Sequence, residues 1–307
     1  MVLMERTTKM ETMTKKIDFI GFISVTRANP NGDPINGNQP RTDYDGYGEI
    51  SAECIKRKIR NRLQDAGEKI LVQSDDRIDD GYSCIRDRIS GNDKLNKLLT
   101  KKGGSAEFVT GACAEWIDVR AFGQVFALKK SEGTNGVSIG VRGPISVHTA
   151  VSLDPVSLSS MKITKSTNTE PSEKRGPDTM GDRHRVDFGV YKVVGAINVN
   201  LAEKTGFSDE DAEKVKNAIL TLFQNDASSA RPEGSMEMRR FYWIEHNCKI
   251  GNVSSAQVHR SVSGVLRDGV DVPRKWEDYV FDDAELAGFC ENGVRVEKYV
   301  DGEKVEF

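Results

Sequence analysis

Between residues 51 and 66 stand five basic side chains, Lys56, Arg57, Lys58, Arg60 and Arg62, against the acids Glu53 and Asp65. Cations massed on one helix suit a phosphodiester chain, whose charge recurs at every nucleotide. A solvated helical face is the alternative, but such faces usually interleave acids, and Lys56 and Arg60 stand four residues apart, where like charges repel. Upstream, residues 28–48 place Asn29, Asn31, Asp33, Asn38 and Arg41 among glycines and prolines, where they could reach sugar hydroxyls, phosphates or neighbouring backbone. The same composition fits a purely structural turn. A third stretch, 154–189, carries Lys162, Lys165, Lys174, Arg175, Arg183 and Arg185, with Met161, Ile163 and Met180 able to wedge between bases. A surface loop is its alternative.

Other chemistries find no support. Asp43, Asp45 and Gly46 imitate part of a calcium loop, but the remaining acids are misplaced. His148, His184, His246 and His259 lack ligand spacing and read as core or surface histidines. No Walker loop, GxGxxG, GxSxG or HExxH occurs, so no catalytic residue, metal or cofactor is expected.

These side chains need elements to hold them. Residues 17–26, IDFIGFISVT, are apolar at nearly every position and predict a strand covered on both faces. Ser51 as N-cap, Gly67 as terminator, and Ala52, Ile55, Ile59 and Leu63 at three- and four-residue spacing predict a helix over 51–66. Residues 70–104 lose all period apart from a short helix at 94–100, and 116–128 read as a buried helical turn. Strands are expected at 137–153, interrupted at Gly143 and Pro144, and at 190–201. Between them, 154–189 is too poor in apolar residues to join a core and should project as an arm or hairpin. Ser208 and Asp211 open a second helix, and a strand follows at 238–245. The order strand, helix, strand, strand, helix, strand predicts an α+β fold with a ferredoxin-like, RNA-recognition-type sheet.

The 307 residues bear a formal charge of −3, with 30% charged. Residues 276–307 hold ten acids against three bases, a balance of −7 that leaves +4 on the first 275 residues. Cys54, Cys84, Cys113, Cys248 and Cys290 form no CxxC pair and are expected to be reduced and mostly buried. No run is long and apolar enough to span a membrane and no secretory signal is visible, which makes cytoplasmic location the expectation.

The string NPNGDPINGNQPR at 29–41, followed by CIKRKIRN at 54–61, resembles the backbone subunit of type I CRISPR surveillance (Cascade) complexes, in the RAMP superfamily. It is most similar to subtype I-C and next to I-B. DVRAFG at 118–123, RGPIS at 142–146, KITK at 162–165 and EMRRFY at 237–242 follow in that family's order, so the resemblance spans about residues 17–260.

The resemblance implies a hand-like protein: a flexible leader at 1–16, a palm over 17–69, 137–153 and 190–263, a fingers insertion at 70–136, and a thumb hairpin at 154–189. Residues 264–307 match no motif of the family, and contact with a neighbouring subunit's basic surface is the expectation for them. It implies a non-catalytic protein that oligomerises as a helical filament along the spacer of the crRNA, grips its phosphates, and leaves bases free to pair with target DNA. Implied partners are the crRNA, copies of the same chain, and the large, small and crRNA-processing subunits, with no membrane. RNA contacts would fall on Asn29, Asn31, Asn38, Arg41, Lys56, Arg57, Lys58, Arg60, Arg142, Lys162 and Lys165. Two rivals remain: a metal-dependent RNA endonuclease of the type III backbone kind using Asp33, and a stand-alone RNA-binding regulator.

Overall fold

A computed structural model describes residues 11–100, 104–128, 137–164 and 180–307. Strand β1 (Ile17–Ala28) runs into the short strands β2 (Gly32–Asp33) and β3 (Gln39–Pro40), then β4 (Tyr47–Ile50) and helix α1 (Ala52–Asp65). As the sequence predicts, the Ser51 hydroxyl accepts the Cys54 N–H at 3.2 Å, and Gly67 takes φ +87 just past the helix end. Next come α2 (Ile85–Ser90), α3 (Asp93–Thr100), α4 (Ser105–Glu115) and α5 (Ile117–Phe122), then β5 (Gly123–Leu128) and β6 (Val137–Arg142). Strands β7 (Ile145–Val147), β8 (Ala150–Pro155), β9 (Leu158–Thr164) and β10 (Met180–Ile197) precede α6 (Val199–Thr205), α7 (Asp209–Leu220) and β11 (Met236–Glu245). The chain continues through α8 (Ser255–Arg260), β12 (Ser263–Leu266), β13 (Tyr279–Asp282), α9 (Ala284–Phe289), β14 (Arg295–Val300) and β15 (Glu303–Val305).

A large antiparallel sheet follows the order β15-β14-β11-β1-β10-β8-β4, with β7 and β9 also paired to β10. Central β1 is covered on both faces, as its unbroken apolar run predicts. Ile17, Phe19, Ile23 and Val25 pack with α1, α6 and α7, while Ile20 and Phe22 pack with residues of α8, α9 and β13. Each such fully buried side chain contributes about 1.5–3 kcal/mol. In β11 the pairing steps from Phe22↔Arg240 to Ile23↔Met238 and leaves Arg239 unpaired. This bulge reverses the alternation, so Met236 and Met238 share a face with Phe241 and Trp243.

Residues 70–142 carry a core of their own, with Ile89, Leu95, Phe108, Trp116, Phe126 and Ile139 among its buried side chains. Three features here depart from the sequence expectation. Helix α2 lies in the stretch read as irregular, and α4 falls where no element was expected. The helix expected over 116–128 stops at Gly123, whose φ of +79 and close approach to the Val141 carbonyl exclude a side chain, and β5 takes over. Strand β6 pairs with β5 rather than joining the large sheet as a neighbour of β10. The strand predicted at 190–201 begins earlier, at Met180, and yields to α6 at Val199. Only Cys113 of the five free cysteines is buried, contrary to the expectation. The described part of the leader is packed, with Met13 fully buried and its N–H bonded to the Phe207 carbonyl.

Buried charges tie the layers together. Arg120 on α5 donates to both carboxylate oxygens of Asp211 at 2.9 and 2.7 Å, and Asp211 also closes the predicted capping box with Ser208. On the opposite face Asp18 accepts from His246 at 2.8 Å and from Lys16 at 2.9 Å. Burial alone would raise the Asp18 pKa, but the bonds from His246, His259, Ser255 and Lys16 outweigh it and hold the carboxyl well below the usual range. The acidic C-terminus folds back rather than standing free: β14 extends the sheet beside β11, and Glu297 meets Lys216 at 2.8 Å and Lys304 at 2.9 Å. No helix among the described residues is long and apolar enough to cross a membrane.

Two outcomes follow from these buried pairs. Arg120→Met should lower unfolding stability by about 3–5 kcal/mol because it leaves the Asp211 carboxylate buried without its cation; an unshifted urea midpoint would rule this out. Burial raises the Glu297 pKa, but its bonds to Lys216, Lys304 and Tyr299 bring it down from 4.5 to about 2. Its stabilising contribution is therefore complete above about pH 4.5 and lost as pH falls toward 2. Glu297→Gln should flatten the acid limb of a stability–pH curve, and an equally steep limb in the variant refutes the assignment.

Candidate nucleic-acid interface

The loop that leaves β1 is wired by its own polar side chains. Asn29 is buried; its N–H bonds to the Ala230 carbonyl at 2.9 Å, and its amide nitrogen donates to the Asn38 carbonyl at 2.7 Å. Asn31 Oδ1 accepts the Ser51 N–H at 2.9 Å, which fixes the loop to the start of α1. Asp33 Oδ1 accepts the Ile35 N–H at 3.2 Å and stands 3.5 Å from the Arg41 guanidinium. Asn38 takes φ +60, a conformation asparagine tolerates better than most residues. The result is a rigid protrusion whose tips, Ile35 and Tyr44, are almost wholly exposed.

On α1 the basic stripe divides. Lys58 is only 4% exposed and pairs with Asp226. Arg60 donates to Asp118 Oδ2 at 3.1 Å and lies over the Phe122 ring, while Arg62 reaches Asp65 and Thr221. Arg57 gives one bond, to the Val72 carbonyl at 2.6 Å, and keeps Nε and Nη2 buried without partners. Burial first, then the neighbouring charge of Arg60, pulls its pKa down to about 10. Half-buried Lys56 has no ion-pair partner among the described residues. Arg142 is exposed at the end of β6.

The arm expected over 154–189 is, in its described part, a hairpin of β9 with the first half of β10. Register places Met161, Ile163, Arg183 and Arg185 on one hairpin face and Lys162, Asp182 and Met180 on the other. Lys162 pairs with Asp182 directly across the strands at 2.7 Å. Met161, Ile163 and Met180 are exposed. Lys165, Lys174 and Arg175 lie outside the described residues.

Thus the structure brings Asn29, Asn31, Asn38 and Arg41 together in one loop and sets α1 against it. Arg142 and Lys162 stand on other elements. Sequence reasoning missed the segment 226–235, which anchors Lys58 through Asp226, Asn29 through the Ala230 carbonyl, and the hairpin through an Arg183 bond to the Ser229 carbonyl at 2.7 Å. Its run of Ser, Pro and Gly signals a turn and nothing more. It also missed Asp118 as an organiser, whose carboxylate accepts the N–H groups of Leu71 and Val72 besides Arg60. Among the described residues no group of His, Cys, Asp or Glu is arranged to hold a metal ion.

The family model for CRISPR-associated protein Cas7 matches residues 15–283. The chain belongs to the Cas7 family. A CRISPR-associated protein Cas7 of Haloferax volcanii is 27% identical over 282 residues, covering 84% of this chain and 81% of that one. Among solved structures, a chain of a CRISPR RNA-guided surveillance complex in a pre-nicking state superposes with a TM-score of 0.53 at 14% identity, covering 90% of this chain and 88% of that one. The large antiparallel sheet of this Cas7-family protein is therefore the fold of that chain too.

Lys58 and Lys56 give opposite expectations on the same helix. Lys58→Ala should destabilise by about 1–3 kcal/mol because Asp226 keeps only the Arg231 guanidinium at 3.4 Å, whereas Lys56→Ala should stay within about 0.5 kcal/mol of wild type. Equal denaturation midpoints for the two variants would contradict this division.

Proposed function

We propose that this protein is a non-catalytic guide-RNA scaffold, a backbone subunit of a type I surveillance complex of the I-C or I-B kind, working in the cytoplasm. Membership of the Cas7 family over residues 15–283 is the observation that carries this reading. Copies would line up along the spacer part of the crRNA, hold its phosphates, and leave bases free to pair with target DNA, while the other Cascade subunits complete the assembly. We read the sheet with α1 and α7 on one face as the RNA-recognition-type palm, the segment with its own core as fingers, and the β9–β10 hairpin as the thumb.

Within this reading the loop and α1 have two kinds of residue. Asn29, Asn31 and Asn38 set the loop's shape through bonds inside the chain, and Lys58 ties α1 to Asp226. Lys56, Arg57, Arg41, Arg142, Lys162 and Lys165 are the cations assigned to the RNA backbone, with Arg60 held between Asp118 and Phe122 as their support. The ribonuclease alternative needs a free Asp33, whereas its carboxylate is engaged by Ile35 and Arg41, which favours a structural role.

Because phosphate contacts position a strand without reading it, Lys56→Glu should weaken binding of unrelated single-stranded RNAs by a similar factor. Wild-type affinity should fall with salt at a log–log slope of roughly −3 to −4 per subunit, given about four to six phosphates neutralised. Salt-insensitive binding, or magnesium-dependent cleavage of complementary RNA lost in Asp33→Ala, would overturn the scaffold reading.

A further inference from the structure

A cavity of about 480 Å³ opens at the root of the β9–β10 hairpin, where the end of β1 meets β10 and the loop before β13. Its size falls in the range of ligand sites. Arg27, Arg185 and Arg274 line it with Asp187, Phe188 and Pro273, so three arginines and a single acid share its wall. Phe188 belongs to the core on the sheet face opposite α1, which sets this cavity apart from the cations on that helix.

The lone acid does not satisfy the arginines. Asp187 accepts the Ser159 hydroxyl at 2.6 Å, and Arg185 Nε stands 3.5 Å away, buried and without a hydrogen bond. Arg27 and Arg274 are exposed, and neither side chain has an ion-pair partner among the described residues. Arg27 is also held at φ +51, in the left-handed region that a residue of its kind rarely adopts. Backbone strain concentrates where function requires a side chain at a fixed place.

We infer that Arg27, Arg185 and Arg274 form a second phosphodiester-binding site, which receives the RNA strand where it passes the root of the hairpin. Forked guanidinium groups match phosphate oxygens better than ammonium groups do. Arg185 shares its hairpin face with Met161, Ile163 and Arg183, so a strand held in the cavity leads along cations interleaved with exposed apolar groups. That combination suits single-stranded nucleic acid. This inference rests on the guide-RNA reading above and deepens it, by adding contacts on the other face of the sheet.

The test compares wild-type full-length protein with Arg27→Gln/Arg274→Gln and with Arg274→Gln alone, using a fluorescent single-stranded RNA of spacer length over a salt series. Both side chains are exposed, so the melting temperatures should match wild type. The double variant should bind roughly tenfold or more weakly, and its log–log salt slope should be shallower by about 1.4, half of that in the single variant. If wild type binds RNA and both variants match its affinity and slope, the second site is wrong while the guide-RNA reading stands. If wild type itself fails to bind, that reading fails first. Two other outcomes also overturn the site: inorganic phosphate raising the melting temperature of wild type alone while RNA affinities stay equal, which marks a free-phosphate site, and loss only of RNA-free self-association, which marks an acidic segment of another copy as the occupant.

Discussion

Strand β1 has no surface to spare: both edges are bonded, to β10 and β11, and both faces are buried from Ile17 to Val25. Everything that could meet a partner is therefore displaced to where β1 stops. Its burial breaks at Thr26 and Arg27, and the chain enters the wired loop two residues later. Its neighbour β10 is eighteen residues long against twelve, and the pairing Ala28↔Val186 is the last between them. Among the described strands, the residues of β10 before Val186 consequently pair with β9 alone. The projecting hairpin is thus the overhang of a long strand past a short one, so its direction is fixed by the central sheet rather than by its own sparse apolar content.

The same geometry explains why so many charged groups are tethers. Helix α1 packs its apolar side on the sheet, but its flanks are covered as well, by α7 with the 226–235 segment on one side and by residues 70–72 with Asp118 on the other. A cation in such a position must find a carboxylate or carbonyl, because a buried unpaired charge is strongly unfavourable. Asp226, Asp118 and the Val72 carbonyl supply those partners. The pairs Arg60–Asp118 and Arg120–Asp211 then hold the loop, α1, α5 and α7 in one fixed relation.

This marks the boundary of what the sequence makes legible. Strand β1, helix α1 with its cap and terminator, α7 with its capping box, and β11 all follow from period and end signals, since these depend on neighbours a few residues away. The exposed apolar residues of the hairpin were readable for the same reason. Helices α2 and α4 were not, because each packs into a core built from residues 71 to 141, which no local window samples. Nor was the sorting of the basic residues. Lys56 and Lys58 look alike in sequence, and only a carboxylate 168 positions away from Lys58 separates them. Motif resemblance identifies the family, but it sees a conserved-looking string as one object, where the structure separates side chains that shape a loop from those that remain available.

Charge shows the same point at the scale of the whole molecule. Summed along the chain, the C-terminal segment looks like a free negative block beside a basic body. In space Glu297 is beside Lys216 and Lys304, Asp283 beside Lys298, and Asp301 beside Arg239, so three of the segment's ten acids neutralise cations of α7, the sheet and the segment's own strands. Screening limits an exposed charge to about 8 Å at physiological salt, so an approaching polyanion responds to local unpaired cations rather than to the formal −3. Folding the acidic segment onto the far edge of the sheet, beside β11, keeps these three carboxylates engaged with lysines and an arginine. A negatively charged chain can in this way present positive ground to a phosphate backbone, because Glu297, Asp283 and Asp301 are paired where the sheet ends, while Arg27, Lys56 and Arg142 have no ion-pair partner among the described residues.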